Sequence, residues 1–134
     1  MKYVLDASAW LRCALKDGPA YEAAASAILH APDLTDELHA PQHWTAEVGH
    51  VLHRSRLTGR LTSREAMYLL ERMLSLPVQY HSIPALTPAA FQLAWKHRLS
   101  VYDALYLALA IGTRSRLLTV DDDLAHAARL EGCA

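Results

Sequence analysis

The chain has 134 residues, 52% of them hydrophobic, with a formal net charge of −1. That length suits one domain over residues 1–134 with a buried core, and the apolar content excludes a disordered chain. The near-zero charge argues neither for nor against nucleic acid, and no apolar run reaches the ~18 residues of a membrane span, so a soluble, cytoplasmic protein is expected.

Helical and strand-like segments alternate, which predicts a parallel sheet covered by helices. Lys2 to Leu5 reads as a strand. Asp6 interrupts this apolar start, so it is no signal peptide. A helix from about Ser8 to Lys16 follows and stops before Gly18-Pro19. An Ala-rich helix over roughly Ala20 to Leu29 ends before Pro32. Leu38-His39-Ala40 is a short strand candidate. Pro41 suits the first turn of a helix reaching about Arg56. Thr62-Ser63-Arg64-Glu65 has capping-box spacing and opens a helix to about Leu74. Val78 to Ile83 reads as a strand between Pro77 and Pro84. Thr87-Pro88 starts a helix to about His97. Ser100 opens an apolar helix, Val101 to Ile111, which Gly112 ends. Arg116 to Val120 is a strand, and Asp121 to Leu130 a last helix.

The informative residues are acids in unusual places. Asp6 follows the first strand, where an open α/β sheet places its ligands. The plain alternative is that Asp6 or Ser8 caps the next helix. Glu47 shares a helix face with Trp44, Val48 and Val51, and that face is otherwise apolar. Burying an unpaired carboxylate is costly, so Glu47 either has a partner, lines a cleft or snorkels at the edge of the stripe. Asp103 opens a helix that is apolar through Ile111. Ser100-Val101-Tyr102-Asp103 also has capping-box form, and both roles can hold at once. Leu117-Leu118-Thr119-Val120 runs straight into Asp121, Asp122 and Asp123. Three adjacent aspartates repel one another, and a bound cation would relieve that repulsion. Asp121 follows its strand as Asp6 does; Asp123 is a candidate outer ligand, and Asp122 faces solvent. Hard anionic oxygens of this kind suit Mg²⁺ or Mn²⁺, and such clusters serve metal-assisted phosphodiester hydrolysis. No phosphate-binding glycine loop and no nucleophile elbow is present.

Taken together, Val4-Leu5-Asp6-Ala7-Ser8-Ala9, Glu47-Val48 with Val51-Leu52, Val101 to Ala110, and Leu117 to Leu124 resemble a PIN domain of the VapC toxin type. The four motifs span nearly the whole chain in order. The resemblance implies an α/β/α sandwich around a central parallel sheet. It implies a Mg²⁺- or Mn²⁺-dependent endoribonuclease, the toxin of a toxin–antitoxin pair, acting on RNA, blocked by a cognate antitoxin, and assembled as a homodimer. By position Asp6, Glu47, Asp103 and Asp121 match the family's catalytic and metal-binding acids. Ser8 matches the residue supporting the first acid, and Asp123 an extra acid of some members. Members often finish with a short apolar strand. This chain ends Leu130-Glu131-Gly132-Cys133-Ala134, so the sheet either lacks that edge or has a brief segment standing in.

Other residues carry weaker signals. Of the eight histidines, His39, His43, His50 and His53 are the densest, without zinc-site spacing. Cys13 and Cys133 show no metal-ligand spacing and fit a reduced compartment. Arg54, Arg56, Arg60 and Arg64 form either a solvated surface or a phosphate contact. Trp10, Trp44 and Trp95 are expected as core or interface anchors. Two other functions stay open. A haloacid-dehalogenase-like phosphatase would use Asp6 as nucleophile, but has a second acid where Ser8 stands here. A non-catalytic module would keep the fold and bind RNA or a partner chain.

Overall fold

The computed structural model describes residues 1–15 and 36–134. The helix expected over Ala20 to Leu29 lies outside them. Four strands form one sheet: β1 (Lys2–Leu5), β2 (Glu37–Pro41), β3 (Val78–His81) and β4 (Arg116–Leu118), in the order β3-β2-β1-β4. Every pairing is parallel, with Tyr3 opposite Leu38 on one side and Arg116 on the other. Six helices accompany them among the described residues: α1 (Ala7–Ala14), α2 (Trp44–Leu57), α3 (Ser63–Leu74), α4 (Ile83–His97), α5 (Val101–Thr113) and α6 (Asp122–Leu130). This is the expected α/β/α arrangement. Val4 and Leu5, adjacent in β1, are both buried, as a strand covered on both faces requires. Helix α5 is buried from Ala104 through Ala110, which explains its apolar sequence.

The element boundaries shift where local chemistry competes. Pro41 closes β2 instead of opening a helix, and Gln42 N–H continues the pairing to the His81 carbonyl at 3.0 Å. Proline can end a strand because it gives up only one ladder donor. Strand β3 stops at His81, and α4 begins at Ile83 with Pro84 in its first turn, a turn earlier than Thr87-Pro88 suggested. The Thr87 hydroxyl donates back to the Ile83 carbonyl at 2.7 Å and does not cap. Gly112 does not end α5. The helix runs on to Thr113, and Arg114 takes the left-handed turn at φ 54°. The capping box at Thr62 and Glu65 forms in both directions.

A brief segment after α6 stands against β4: the Leu117 N–H donates to the Cys133 carbonyl at 2.7 Å, and Cys133 is buried. Trp10 and Trp44 meet edge to face in the core, with ring centroids 6.4 Å apart. Trp95 does not join them: it is 88% exposed on α4.

Candidate active site

The strand order sets the position of the site. The chain leaves β1 toward β2 on one side and returns to β4 on the other, so the crevice opens at the carboxyl ends of neighbouring strands. Asp6 and Asp121 follow β1 and β4. The Asp6 N–H donates to the Leu118 carbonyl at 3.2 Å, which ties the two strand ends together. Thr119 then leaves the sheet. Its hydroxyl donates to Asp6 Oδ2 and accepts the Asp121 N–H at 3.0 Å. One threonine therefore spaces two acids.

Asp6 is buried and also caps α1. Its Oδ1 accepts from Ala9 N–H at 2.8 Å and from the Ser8 hydroxyl at 2.7 Å. The capping and cleft roles coincide, because the N-terminus of α1 starts at the crevice. Asp121 does the same for α6, accepting from Leu124 N–H at 2.8 Å. Glu47 enters from α2. Its Oε2 accepts from the Tyr106 hydroxyl at 2.9 Å, and its Oε1 lies 3.2 Å from His43 Nε2. That histidine nitrogen also faces the Tyr102 carbonyl at 3.2 Å. Both neighbours accept, so Nε2 carries the proton. Asp103 sits in the first turn of α5, whose N-terminus is capped by Ser100 at 3.1 Å.

All four acids and Ser8 line one cleft of about 730 Å³, together with Arg12, His43, His50, Arg60, Tyr102 and an apolar wall that includes Leu11 and Val51. Asp123 is not among the lining residues; it is exposed in the first turn of α6. The acids feel one another. Burial raises the Asp6 carboxyl above its ordinary value, against the opposing pull of Thr119, Ala9 and Ser8, and the charge of Asp103 raises it further. Asp103 is raised by burial and then by the charges of Asp121 and Glu47. Crowded carboxylates with raised proton affinity in a cleft mark a candidate functional site.

The PIN domain model matches residues 3–130 of this chain. The chain belongs to the PIN-domain family. It is 35% identical over 128 residues to a Pyrobaculum aerophilum protein named Ribonuclease VapC3, covering 94% of each chain. Among solved structures, Mycobacterium tuberculosis VapC20, titled a Sarcin-Ricin loop cleaving toxin, superposes with a TM-score of 0.68 at 19% identity, covering 93% of this chain and 94% of that one. A Rickettsia felis VapBC2 structure, bound to a fragment of promoter DNA, gives a TM-score of 0.68 at 14% identity, covering 95% and 93%. These structures share the PIN fold with this chain.

Within this PIN domain, no three His, Cys, Asp or Glu side chains among the described residues close tightly enough to cage an ion directly. Mg²⁺ does not require that: it keeps several waters and takes one or two carboxylates, completing its shell with substrate phosphate. Hard oxygens facing one cleft, with raised proton affinity at Asp6 and Asp103, fit such an ion.

Thr119 and Tyr106 are contributors that sequence reasoning did not single out, and it read His43 only as one of a histidine cluster. A β-branched threonine at a strand end and a tyrosine inside an apolar helix look like scaffold residues. Only the third dimension shows their hydroxyls aimed at carboxylates. His43 lies one helical turn before Glu47, a spacing at which side chains meet, and that signal was available. Of the basic cluster, Arg60 reaches the cleft, joined there by Arg12 from α1.

Proposed function

We propose that this chain is a divalent-metal-dependent endoribonuclease that hydrolyses RNA phosphodiester bonds, acting as the toxin of a toxin–antitoxin pair. The observation that carries this reading is the gathering of Asp6, Glu47, Asp103 and Asp121 around one cleft from four separate elements. The names of the VapC relatives support it. These four residues would hold Mg²⁺ or Mn²⁺, with Asp123 at most an outer, water-mediated contributor. A divalent ion in such a site supplies activation of a water nucleophile and neutralisation of phosphate charge.

The protein's part is orientation. Ser8, Ala9 and Thr119 hold both oxygens of Asp6 so that the carboxylate cannot rotate. His43 and Tyr106 hold Glu47 from two sides. Asp103, between the charges of Glu47 and Asp121, gathers negative potential at the centre. Arg12 and Arg60 at the cleft wall offset the repulsion that an RNA backbone would meet there. The same geometry counts against Asp6 as a covalent nucleophile, since both its oxygens are already engaged.

A cognate antitoxin would act by covering this cleft, and a homodimer would place two clefts in one particle. No helix among the described residues is long and apolar enough to cross a membrane. The decisive experiment is RNA cleavage in Mn²⁺ by Asp6→Asn, Glu47→Gln and Asp103→Asn proteins. Each is expected to lose activity with its fold retained. If all three cut as the parent does, the assignment is wrong.

A further inference from the structure

Among the described residues, Tyr102 is the large aromatic that lines the cleft and still stays exposed. It precedes Asp103 in the first turn of α5, lines the cleft, and leaves 68% of its surface exposed. A large aromatic gains little for folding in that position. Its backbone is nevertheless pinned. Ser100 caps the turn through the Asp103 N–H at 3.1 Å, and His43 Nε2 faces the Tyr102 carbonyl at 3.2 Å. The His43 ring lies beside it, centroids 6.3 Å apart and tilted by 44°, and is itself braced against Tyr106 at 4.9 Å. An exposed ring is thus held on a rigid mount at the lip of the acid cluster.

The cleft around it is larger than an ion and a phosphate need. Its volume of about 730 Å³ lies within the ~300–1,000 Å³ typical of sites that take whole small molecules. We infer that Tyr102 is a stacking platform for the nucleobase next to the scissile phosphate. This rests on the ribonuclease reading above and specifies how that site holds its substrate. Every base has a π-face, so such a platform confers affinity without strong sequence preference. A base is favoured here over a protein side chain because Tyr102 lines the same cleft as the four acids.

The test combines protein and substrate changes. Short RNA substrates are prepared with a normal or an abasic residue beside the cleaved bond. They are cut by the parent protein and by its Tyr102→Ala, Tyr102→Phe and Tyr102→Trp variants. Base–aromatic stacking is worth about 1–3 kcal/mol per base, or about 5- to 150-fold. Tyr102→Ala is expected to raise KM by a factor in that range with kcat little changed, while Phe and Trp retain the parent KM. The abasic substrate should lose the same factor with the parent protein and nothing further with Tyr102→Ala. A 2-aminopurine at that position, bound to the Asp6→Asn protein, should be quenched, and Tyr102→Ala in that background should abolish the quenching.

The inference is overturned if the parent protein cuts abasic and normal substrates alike, a result that needs no variant to fold. It is also overturned if Tyr102→Ala keeps the parent KM, or if it weakens only the antitoxin complex. The ribonuclease reading survives those results, since cleavage itself persists. If the parent cuts no RNA at all, that reading fails and this inference with it.

Discussion

Removing the hydroxyl of Tyr106 tests how the protein controls Glu47. The ring of Tyr106 is fully buried, and its hydroxyl donates to Glu47 Oε2 at 2.9 Å. Burial, and next the charge of Glu47, push its ionisation above the ordinary tyrosine value, so it remains a donor throughout the working pH range. Tyr106→Phe keeps the ring in place and deletes one charge-assisted hydrogen bond, worth about 1.5–3 kcal/mol when buried. The Glu47 side chain is 33% exposed, so water replaces part of the lost bond. That puts the expected loss of stability near ~1 kcal/mol, or about 3 °C in Tm. The functional loss should be larger. With one anchor gone, the carboxylate is held only from the His43 side, and losing such an outer partner costs about 10- to 100-fold in metal affinity or activity. Calorimetry with Mn²⁺ and steady-state cleavage would read this as weaker binding and lower kcat at unchanged KM for RNA. A cycle with Glu47→Gln should be non-additive, because a neutral amide no longer needs the phenol. Parent-like Mn²⁺ affinity and kcat in Tyr106→Phe would refute the clamp.

Two further outcomes follow from the same structure. Asp103 has its folded pKa raised, so it favours folding below the unfolded carboxyl value near ~4 and loses that contribution as pH rises through the folded value. Asp103→Asn should therefore raise the Tm of the metal-free protein at neutral pH while abolishing cleavage; a lower Tm would contradict the repulsion argument. Added Mn²⁺ should raise the parent's Tm much more than the variant's. Thr62→Ala removes half of a complete capping box whose two residues do not line the acid cleft, so it should cost about 1 kcal/mol in denaturant unfolding and leave kcat unchanged.

The four acids were legible in sequence because each breaks a pattern. Two end apolar strands, and two sit on apolar helix surfaces. Such breaks are expensive unless function compensates. The boundaries that moved did so where two local rules competed. Pro41 satisfies both a helix start and a strand end, and the pairing of β2 with β3 decided for the strand. Gly112 looked like a helix terminus, yet Arg114 accepts the left-handed conformation, an expense the buried body of α5 easily offsets. Trp95 could be placed as a core or an interface residue from sequence, and its exposure takes it out of the core. Asp123 has the same composition signal as Asp121. Its position in the first turn of α6, two residues past the capping Asp121, turns it outward, and a run of identical residues carries no information on which of them faces the cleft.

The acids also explain why so many hydroxyl groups gather here. Asp6 is buried deeply enough that desolvation outweighs three hydrogen bonds in setting its proton affinity. Without Ser8, Thr119 and Ala9 the carboxylate would be driven further toward the neutral form, and a neutral acid is a poor ligand for a hard cation. The donors therefore keep Asp6 closer to the ionised state inside an apolar crevice, and they do so without adding a positive charge that would compete with a cation. A lysine or arginine salt bridge would have lowered the carboxyl's proton affinity more strongly, but would have filled the site it was meant to prepare. Neutral donors on one side and fellow carboxylates on the other leave Asp6 ionisable without a lysine or arginine bonded to it, and a bound cation would relieve the repulsion between the acids.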